Sequence, residues 1–170
     1  MKIKLKTLFA IGLILKVIKY LGIIILVYFS TACSNNGVIE QQFTIPQSGW
    51  HKDTVVTFTC NIEDNSDSYN ISLEIEHSNY YLNNNIWLFI GTLSPAGILQ
   101  KDTLNIILAE NSGKWYGKLS GDNVKIRVPF KQAVGFPENG EYKFFIQQGL
   151  RTDVLTTVNK IGILIEPYDN

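Results

Sequence analysis

The chain has 170 residues, enough for one folded domain and a short leader. Its 15 basic and 15 acidic residues cancel, but five of the lysines precede Cys33 and none of the acidic residues does, so the chain after Cys33 carries a net charge of about −5. An acidic domain without a basic cluster is not expected to bind nucleic acid, or to bind an anionic membrane through its own surface.

Residues 1–32 are typical of a bacterial export signal. Lysines come first, an uninterrupted apolar run follows at 20–29, and small residues at 30–32 end directly before Cys33. The Ala-Cys step resembles the lipobox, in which the chain is cut before a cysteine that receives lipid, although Ser30 stands where leucine is usual. We predict that 1–32 is a cleaved lipoprotein signal and that Cys33 is the site of lipid attachment.

An uncleaved membrane helix over residues 8–29 is the alternative. It is long enough to span a bilayer, but Lys16 and Lys19 would lie near its middle. Each lysine there costs roughly 2.5–3.5 kcal/mol on insertion scales, so the cleaved signal is favoured. We predict that residues 33–45 form the lipidated N-terminus and a flexible tether, and that residues 46–170 form the folded domain.

Short alternating runs separated by turn sequences predict that residues 46–170 are all-β. The pattern favours an immunoglobulin-like β-sandwich of about seven to eight antiparallel strands. One run, 86–90, is continuously apolar and is predicted to be a central strand covered on both faces. The predicted strands are 54–62, 69–77, 86–90, 103–109, 124–130, 141–147 and 160–166.

Three residues are assigned to the core of this sandwich. The segment 138–144, ENGEYKF, resembles the tyrosine corner of immunoglobulin-like domains, in which the Tyr142 hydroxyl would bond to nearby backbone. Trp87 lies on the continuous apolar run and is predicted to be the buried core tryptophan. Cys60 shares the apolar face of an alternating strand and is predicted to be a buried apolar side chain rather than a nucleophile.

No pattern in the sequence predicts catalysis, a metal site or a bound cofactor, so we do not expect an enzyme. His51 and His77 are far apart, and no Cys/His pair has metal-ligand spacing. The acidic segment 63–68 lacks the ligand order and closing glutamate of a calcium loop, and is predicted to be a solvated hairpin loop. Glu74 and Glu76 share one strand face, where we expect both to be solvated.

Aromatic residues near predicted strand ends are the better candidates for binding. Exposed aromatics at the edge of a sandwich can stack on sugars, so a lipid-anchored glycan-binding module is one hypothesis. Burial of the same residues as caps at the two ends of the sandwich is the other. The candidates for contact with a partner or a glycan are Trp50, Tyr80, Tyr81, Trp115 and Tyr116.

Arg151 is the remaining candidate contact. It follows the predicted strand 141–147, and the residues between, 147–149, are poor core residues, so the chain is expected to surface there. One role for Arg151 is a salt bridge to Asp153 or another surface carboxylate, worth about 0–1 kcal/mol. The other is a docking contact, in which the guanidinium donates to an acidic or carbonyl group of a partner.

Taken together and in order, several motifs of residues 46–166 resemble the gliding motility lipoprotein GldH family of the Bacteroidota. The resemblance implies an outer-membrane-associated lipoprotein that supports the gliding machinery, which is coupled to type IX protein secretion. It implies no catalytic residues and no cofactor. The motifs are GWHKDTVVTF, YNISLEIEHSNYYLNNNIWLFI, SPAG, GKWYGK, FPENGEYKFFIQQGLR and VNKIGILIE.

The same resemblance implies where the protein lies and what it contacts. The membrane is contacted through the lipid on Cys33, and the expected partners are other proteins of the gliding or secretion machinery. The surface-export signal of this phylum is an acidic run directly after the lipidated cysteine. The segment SNNGVIE lacks such a run, so we expect a lipid anchor in the outer membrane with the domain on its periplasmic face.

Overall fold

In the computed structural model, which describes residues 38–168, the chain forms eleven β-strands and no α-helix within that range. Accordingly, no helix among the described residues is long and apolar enough to cross a membrane. Eight strands have six or more residues and three are short. The strands are β1 (Ile39–Thr44), β2 (Trp50–His51), β3 (Val56–Ile62), β4 (Ser68–Ser78), β5 (Asn85–Leu93), β6 (Leu99–Ile107), β7 (Lys118–Ser120), β8 (Asn123–Gly135), β9 (Gly140–Gln148), β10 (Val154–Leu155) and β11 (Val158–Pro167).

The long strands form two antiparallel sheets that pack face to face, which confirms the predicted β-sandwich. The five-stranded sheet has the order β1-β11-β4-β8-β7, and the four-stranded sheet has the order β3-β9-β5-β6. The short strands β2 and β10 form a separate pair. All seven predicted strands are present, and the structure adds β1 and the three short strands.

The strand order is that of a jelly roll, a sandwich built from two Greek keys. The first long strand pairs with the last, β1 with β11, and the other pairs are nested inside it as β3–β9, β4–β8 and β5–β6. An immunoglobulin domain instead keeps its first two strands side by side in one sheet. The sandwich is therefore a long hairpin rolled up on itself.

The core forms because alternate residues of each long strand are apolar and face the opposite sheet. In β3 the buried side chains are Val56, Phe58, Cys60 and Ile62, and the residues between them are exposed. Burial of one such large side chain contributes roughly 1.5–3 kcal/mol. Burial also raises the pKa of the Cys60 thiol to about 11, so this cysteine stays protonated, and the prediction of a buried apolar side chain is confirmed.

The predicted tether at residues 33–45 is wrong in its second half. All six residues of β1 pair with β11, from Ile39 opposite Ile165 to Thr44 opposite Lys160. The segment is polar because β1 is an edge strand, so its alternation is too weak to indicate a strand. The domain begins at β1 rather than at residue 46, whereas the predicted signal at 1–32 and Cys33 lie outside the described residues.

The predicted tyrosine corner is confirmed. The Tyr142 hydroxyl donates a hydrogen bond of 3.0 Å to the backbone carbonyl of Glu138, four residues upstream. Gly140 between them has a φ of 133°, a left-handed conformation that favours glycine. Tyr142 is buried and its ring centroid lies 4.7 Å from that of Phe136. The corner therefore fixes the connection between β8 and β9.

The prediction that Trp87 is the buried core tryptophan is wrong. Although β5 lies inside its sheet between β9 and β6, only one of its faces is covered. Its buried side chains are Ile86, Leu88 and Ile90, so Trp87 points to the outer face and is 41% exposed. The fully buried tryptophan is Trp50 instead.

The expectation that Glu74 is solvated is also wrong. Glu74 is buried on the outer side of the five-stranded sheet, where Lys125 lies 2.9 Å and Arg127 2.7 Å from its carboxylate oxygens. The Gln42 side-chain amide of β1 donates a third contact at 2.9 Å. Glu74 therefore links three strands of the sheet, whereas Glu76 is only partly covered and pairs with Lys160 at 2.9 Å.

Candidate functional site

Two of the five aromatic candidates are buried, as the alternative of burial at the ends of the sandwich expects. The Trp50 indole is covered and donates a hydrogen bond of 2.9 Å from Nε1 to the carbonyl of Thr54. Tyr81 is buried too, and its hydroxyl donates to the carbonyl of Asn85 at 2.9 Å. Because burial raises the pKa of Tyr81 to about 12, its hydroxyl remains a donor. Neither ring is available for contact with a partner or a glycan.

Tyr81 and Trp115 form a cluster around His77. The His77 ring centroid lies 4.6 Å from that of Trp115 and 5.4 Å from that of Tyr81. His77 itself is fully buried, and Trp115 is only partly covered. The loop that follows β4 therefore packs onto the long connection between β6 and β7 through these three rings.

The protonation state of His77 follows from its contacts. Its Nδ1 lies 2.8 Å from the carbonyl of Ser78, and a carbonyl can only accept, so Nδ1 carries the proton. Within residues 38–168, Nε2 has no hydrogen-bond partner although it is buried. Burial lowers the pKa of His77, so the ring is neutral. A neutral, enclosed imidazole is a structural residue rather than a contact for a ligand.

The exposed candidates lie on the same two connections. Tyr80 is 70% exposed and Tyr116 is 59% exposed, and Leu82, which is not among the predicted candidates, is 95% exposed. The connections are joined at Asn84, whose carbonyl accepts bonds from the backbone amides of Leu108 at 2.7 Å and Ala109 at 3.2 Å. We refer to Tyr80, Leu82 and Tyr116 as the loop-end surface.

Arg151 lies on an exposed loop that buried Gln148 holds in place. The Gln148 side chain accepts a bond of 2.8 Å from the amide of Leu150 and donates one of 3.1 Å to the carbonyl of Thr152. The expectation that residue 148 is at the surface is therefore wrong. Its amide needs partners when buried, and the loop supplies both.

The predicted salt bridge between Arg151 and Asp153 is not formed. Asp153 pairs with Lys52 at 2.6 Å instead, and this ion pair lowers the pKa of the carboxyl. Among residues 38–168, no carboxylate lies within 4.0 Å of the Arg151 guanidinium. Arg151 therefore presents a positive charge that no carboxylate of the described residues neutralises, on an acidic domain.

Arg151 and Trp87 line the same open depression, of about 510 Å³, where the outer face of the four-stranded sheet meets the loop end. Asn85 and Asn105 continue its edge, since the Asn85 amide donates to the Asn105 side-chain oxygen at 2.8 Å. We refer to it as the Trp87 depression. Its lining residues are Asn83, Asn85, Trp87, Gly149, Leu150, Arg151 and Thr152.

A second, more apolar groove lies farther along the same sheet face. Gly91 forms its floor, and a side chain there would meet the Phe145 ring at 3.3 Å and Leu99 at 3.4 Å. Phe89 and Lys101 also line this groove, which has a volume of about 390 Å³. Exposed aromatic rings beside polar groups make both depressions suitable for binding a ligand.

Within the part of the chain that the structure describes, no three His, Cys, Asp or Glu side chains are arranged to hold a metal ion.

Some of these features had a signal in the sequence and some had none. Leu82 directly precedes three asparagines, a pattern that indicates an exposed loop tip. Gln148 had no such signal, because its burial depends on how the loop after β9 turns back. Trp87 and Arg151 line the same depression because β5 pairs with β9, and this pairing had no signal in the sequence.

Comparison with known proteins places this domain among described lipoproteins. Residues 37–165 match a family model described as GldH lipoprotein. The chain is 30% identical over 158 residues to the gliding motility lipoprotein GldH homolog of Christiangramia forsetii, which covers 89% of this chain and 96% of that protein. It is 29% identical over 145 residues to the gliding motility lipoprotein GldH of Flavobacterium johnsoniae, and the match covers 81% of this chain and 89% of that protein. The solved structure of a family GH115 4-O-methyl-alpha-glucuronidase aligns at 7% identity, and the alignment covers 76% of this chain and 16% of the glucuronidase chain. Its TM-score of 0.40 is too low to indicate a shared function.

Proposed function

The chain belongs to the GldH lipoprotein family, and we propose that it is a lipid-anchored, non-catalytic component of the machinery for gliding motility and type IX protein secretion. The relatives from Christiangramia forsetii and Flavobacterium johnsoniae are both named for gliding motility. The role proposed here is to bind other proteins of that machinery and hold them at the membrane.

The proposed anchor is a lipid on Cys33, inserted in the outer membrane with the domain on its periplasmic face. Few residues separate Cys33 from Ile39, where β1 begins. A lipid on Cys33 would therefore keep the sandwich close to the membrane. The net charge of about −5 after Cys33 disfavours direct contact with anionic lipid, which leaves the lipid as the attachment.

The observation that carries the partner-binding role is the exposure of Leu82 on a well-anchored loop. The backbone amide of Tyr81 donates to the carbonyl of Ser78 at 3.0 Å, and that of Asn79 donates to Asp122 at 2.8 Å. The ring of Tyr81 is buried in the core and so anchors the loop to the sandwich. An exposed apolar side chain on an ordered loop, with the exposed Tyr80 two residues before it, suits a protein–protein contact because an ordered loop loses little conformational entropy on binding.

A charged substitution at the loop tip tests this role. Leu82→Glu is expected to abolish surface spreading and secretion of type IX cargo in the native host, and to leave the melting temperature of the purified domain unchanged. Ile98→Glu is the matched control, since Ile98 is 62% exposed in the β5–β6 turn at the opposite end of the sandwich. Normal spreading and secretion with Leu82→Glu would contradict the proposal.

A further inference from the structure

The Trp87 depression combines the groups that recognise a sugar with one that recognises an acid. We propose that it binds an oligosaccharide that carries a carboxylate, with the sugar on Trp87 and the carboxylate on Arg151. This depression adjoins the loop-end surface but is lined by none of Tyr80, Leu82 and Tyr116, so the proposal does not depend on the proposed protein partner.

Trp87 supplies the platform. It projects from the outer face of β5, where Asn105 of β6 lies directly opposite in the sheet. An indole ring can stack on the apolar face of a pyranose, which has C–H bonds on one side and hydroxyls at its edge. The exposed ring is therefore placed where a sugar could lie flat against the sheet.

Gly149 keeps this platform open. Its amide donates to the Trp87 carbonyl at 2.7 Å, so the loop after β9 runs directly beside the tryptophan. A side chain at this position would lie 3.2 Å from the Phe89 ring and 3.3 Å from Cβ of Trp87. Glycine thus allows the loop to approach closely without filling the depression.

The amide side chains around Trp87 suit hydroxyl groups. A primary amide both donates and accepts hydrogen bonds, which matches the dual character of a hydroxyl. The bond from Asn85 to Asn105 fixes both amides, which limits the entropy they lose on binding. Asn83 adds a further amide to the lining. A wall of amides around an aromatic ring favours a polyol over an extended apolar peptide.

Arg151 makes the expected sugar an acidic one. Its guanidinium has no carboxylate partner within residues 38–168, and the buried Gln148 holds the loop on both sides of it. A planar guanidinium binds a carboxylate through two parallel hydrogen bonds. Peptidoglycan fragments with a free lactyl carboxylate and uronic-acid oligosaccharides both offer this chemistry.

Calorimetric titration of the purified domain tests the site with three probes: a muramic-acid tetrasaccharide, a galacturonate tetrasaccharide and neutral chitotetraose. Saturable binding of at least one acidic probe, tighter than chitotetraose by tenfold or more, is expected. The acidic probe that binds identifies the source of the ligand. Absence of saturable binding by both acidic probes at millimolar concentration would overturn the proposal.

Variants locate the site. Trp87→Ala and Arg151→Gln are each expected to weaken binding of the acidic probe by tenfold or more, and only Arg151→Gln is expected to remove its salt dependence. Tyr116→Ala and Lys101→Gln control for the loss of an exposed aromatic and of a positive charge elsewhere. Asn85→Ala provides a further test if Trp87→Ala does not fold. Unchanged affinity in the Trp87 or Asn85 variant, or in Arg151→Gln, would overturn the proposed site, as would an equal loss in the two controls.

Discussion

The imidazole of His77 and the indole of Trp115 meet edge to face, with ring centroids 4.6 Å apart and an interplanar angle of 63°. The contact joins β4 to the connection between β6 and β7, and it excludes water from the His77 ring, which is fully buried. The loop that presents Leu82 leaves the sheet directly after this contact. The stability of the loop end is therefore tied to the charge state of one histidine.

The first prediction is a loss of stability on mild acidification that depends on His77. Burial lowers the pKa of His77 in the folded protein, whereas the unfolded chain binds a proton near pH 6.5. The free energy of unfolding is therefore highest above pH 6.5, where His77 is neutral in both states. It falls as the pH drops from 6.5 toward the folded pKa, by up to about 1.4 kcal/mol per pH unit. The melting temperature should decrease between pH 7.5 and 5.5.

Replacement of the histidines identifies the group responsible. His77→Phe keeps a ring against Trp115 but cannot be protonated, so the melting temperature should become nearly independent of pH in this range. His51 is exposed, and His51→Gln should keep the slope of the parent. An equally steep slope in His77→Phe would assign the effect to another group.

The second prediction concerns the buried carboxylate of Glu74. Burial opposes its ionisation, but hydrogen bonds and charges from Lys125 and Arg127 outweigh burial and hold its pKa below the ordinary value. Glu74→Gln should lower the free energy of unfolding by roughly 2–3 kcal/mol, because it leaves both cations without their partner. Urea unfolding at pH 7 measures this change.

Glu76→Gln is the matched control for that substitution. Glu76 shares the strand face but is more exposed, and within residues 38–168 Lys160 is its one ion-pair partner, so the loss on substitution should amount to about 1 kcal/mol or less. Because the folded pKa of Glu74 is depressed, the difference between the two variants should shrink as the pH falls below about 4. A difference that stays constant as the pH falls below 4 would rule out the charge as its cause.

The third prediction concerns the anchor. Cys33→Ser should abolish incorporation of labelled palmitate and release the domain from the membrane fraction, because the proposed lipid is attached through the sulfur of Cys33. Cys60→Ala is the control, since Cys60 is buried and protonated and should not be acylated. Labelling of Cys33→Ser to the level of the parent would contradict lipid attachment at this position.

The alternation of side chains was sufficient to predict seven of the eight long strands, but not which sheet face each side chain would meet. In β3 the apolar residues fall on one parity, so burial of Cys60 followed directly. In 86–90 every residue is apolar, so alternation cannot identify the exposed face, and Trp87 was assigned to the core. β1 was missed for the opposite reason, since an edge strand of polar residues carries little periodic signal.

The candidate site was less predictable than the fold because it depends on contacts between distant parts of the chain. Tyr80 and Tyr116 lie on two connections that meet through the backbone bonds at Asn84 and through the rings around His77. The burial of Tyr81 depends on His77 of β4 and on Trp115 of the connection between β6 and β7. Such pairings follow from the nested strand order, which sequence patterns did not indicate.

The last prediction concerns the loop that carries Arg151. Gln148→Leu preserves the size of the buried side chain but removes the acceptor of the Leu150 amide and the donor to the Thr152 carbonyl. The free energy of unfolding should fall by about 1–3 kcal/mol, because two backbone groups lose their partner. Hydrogen exchange should accelerate at 149–152 and remain slow in β9.

Gln147→Leu is the matched control on the same strand. It removes one hydrogen bond, of 2.6 Å from the Gln147 side chain to the Lys52 carbonyl, at a half-exposed site. Its effect on stability should be smaller, and exchange at 149–152 should match the parent. If exchange in this loop is the same in Gln148→Leu as in the parent, the side chain of Gln148 does not hold Arg151 in place.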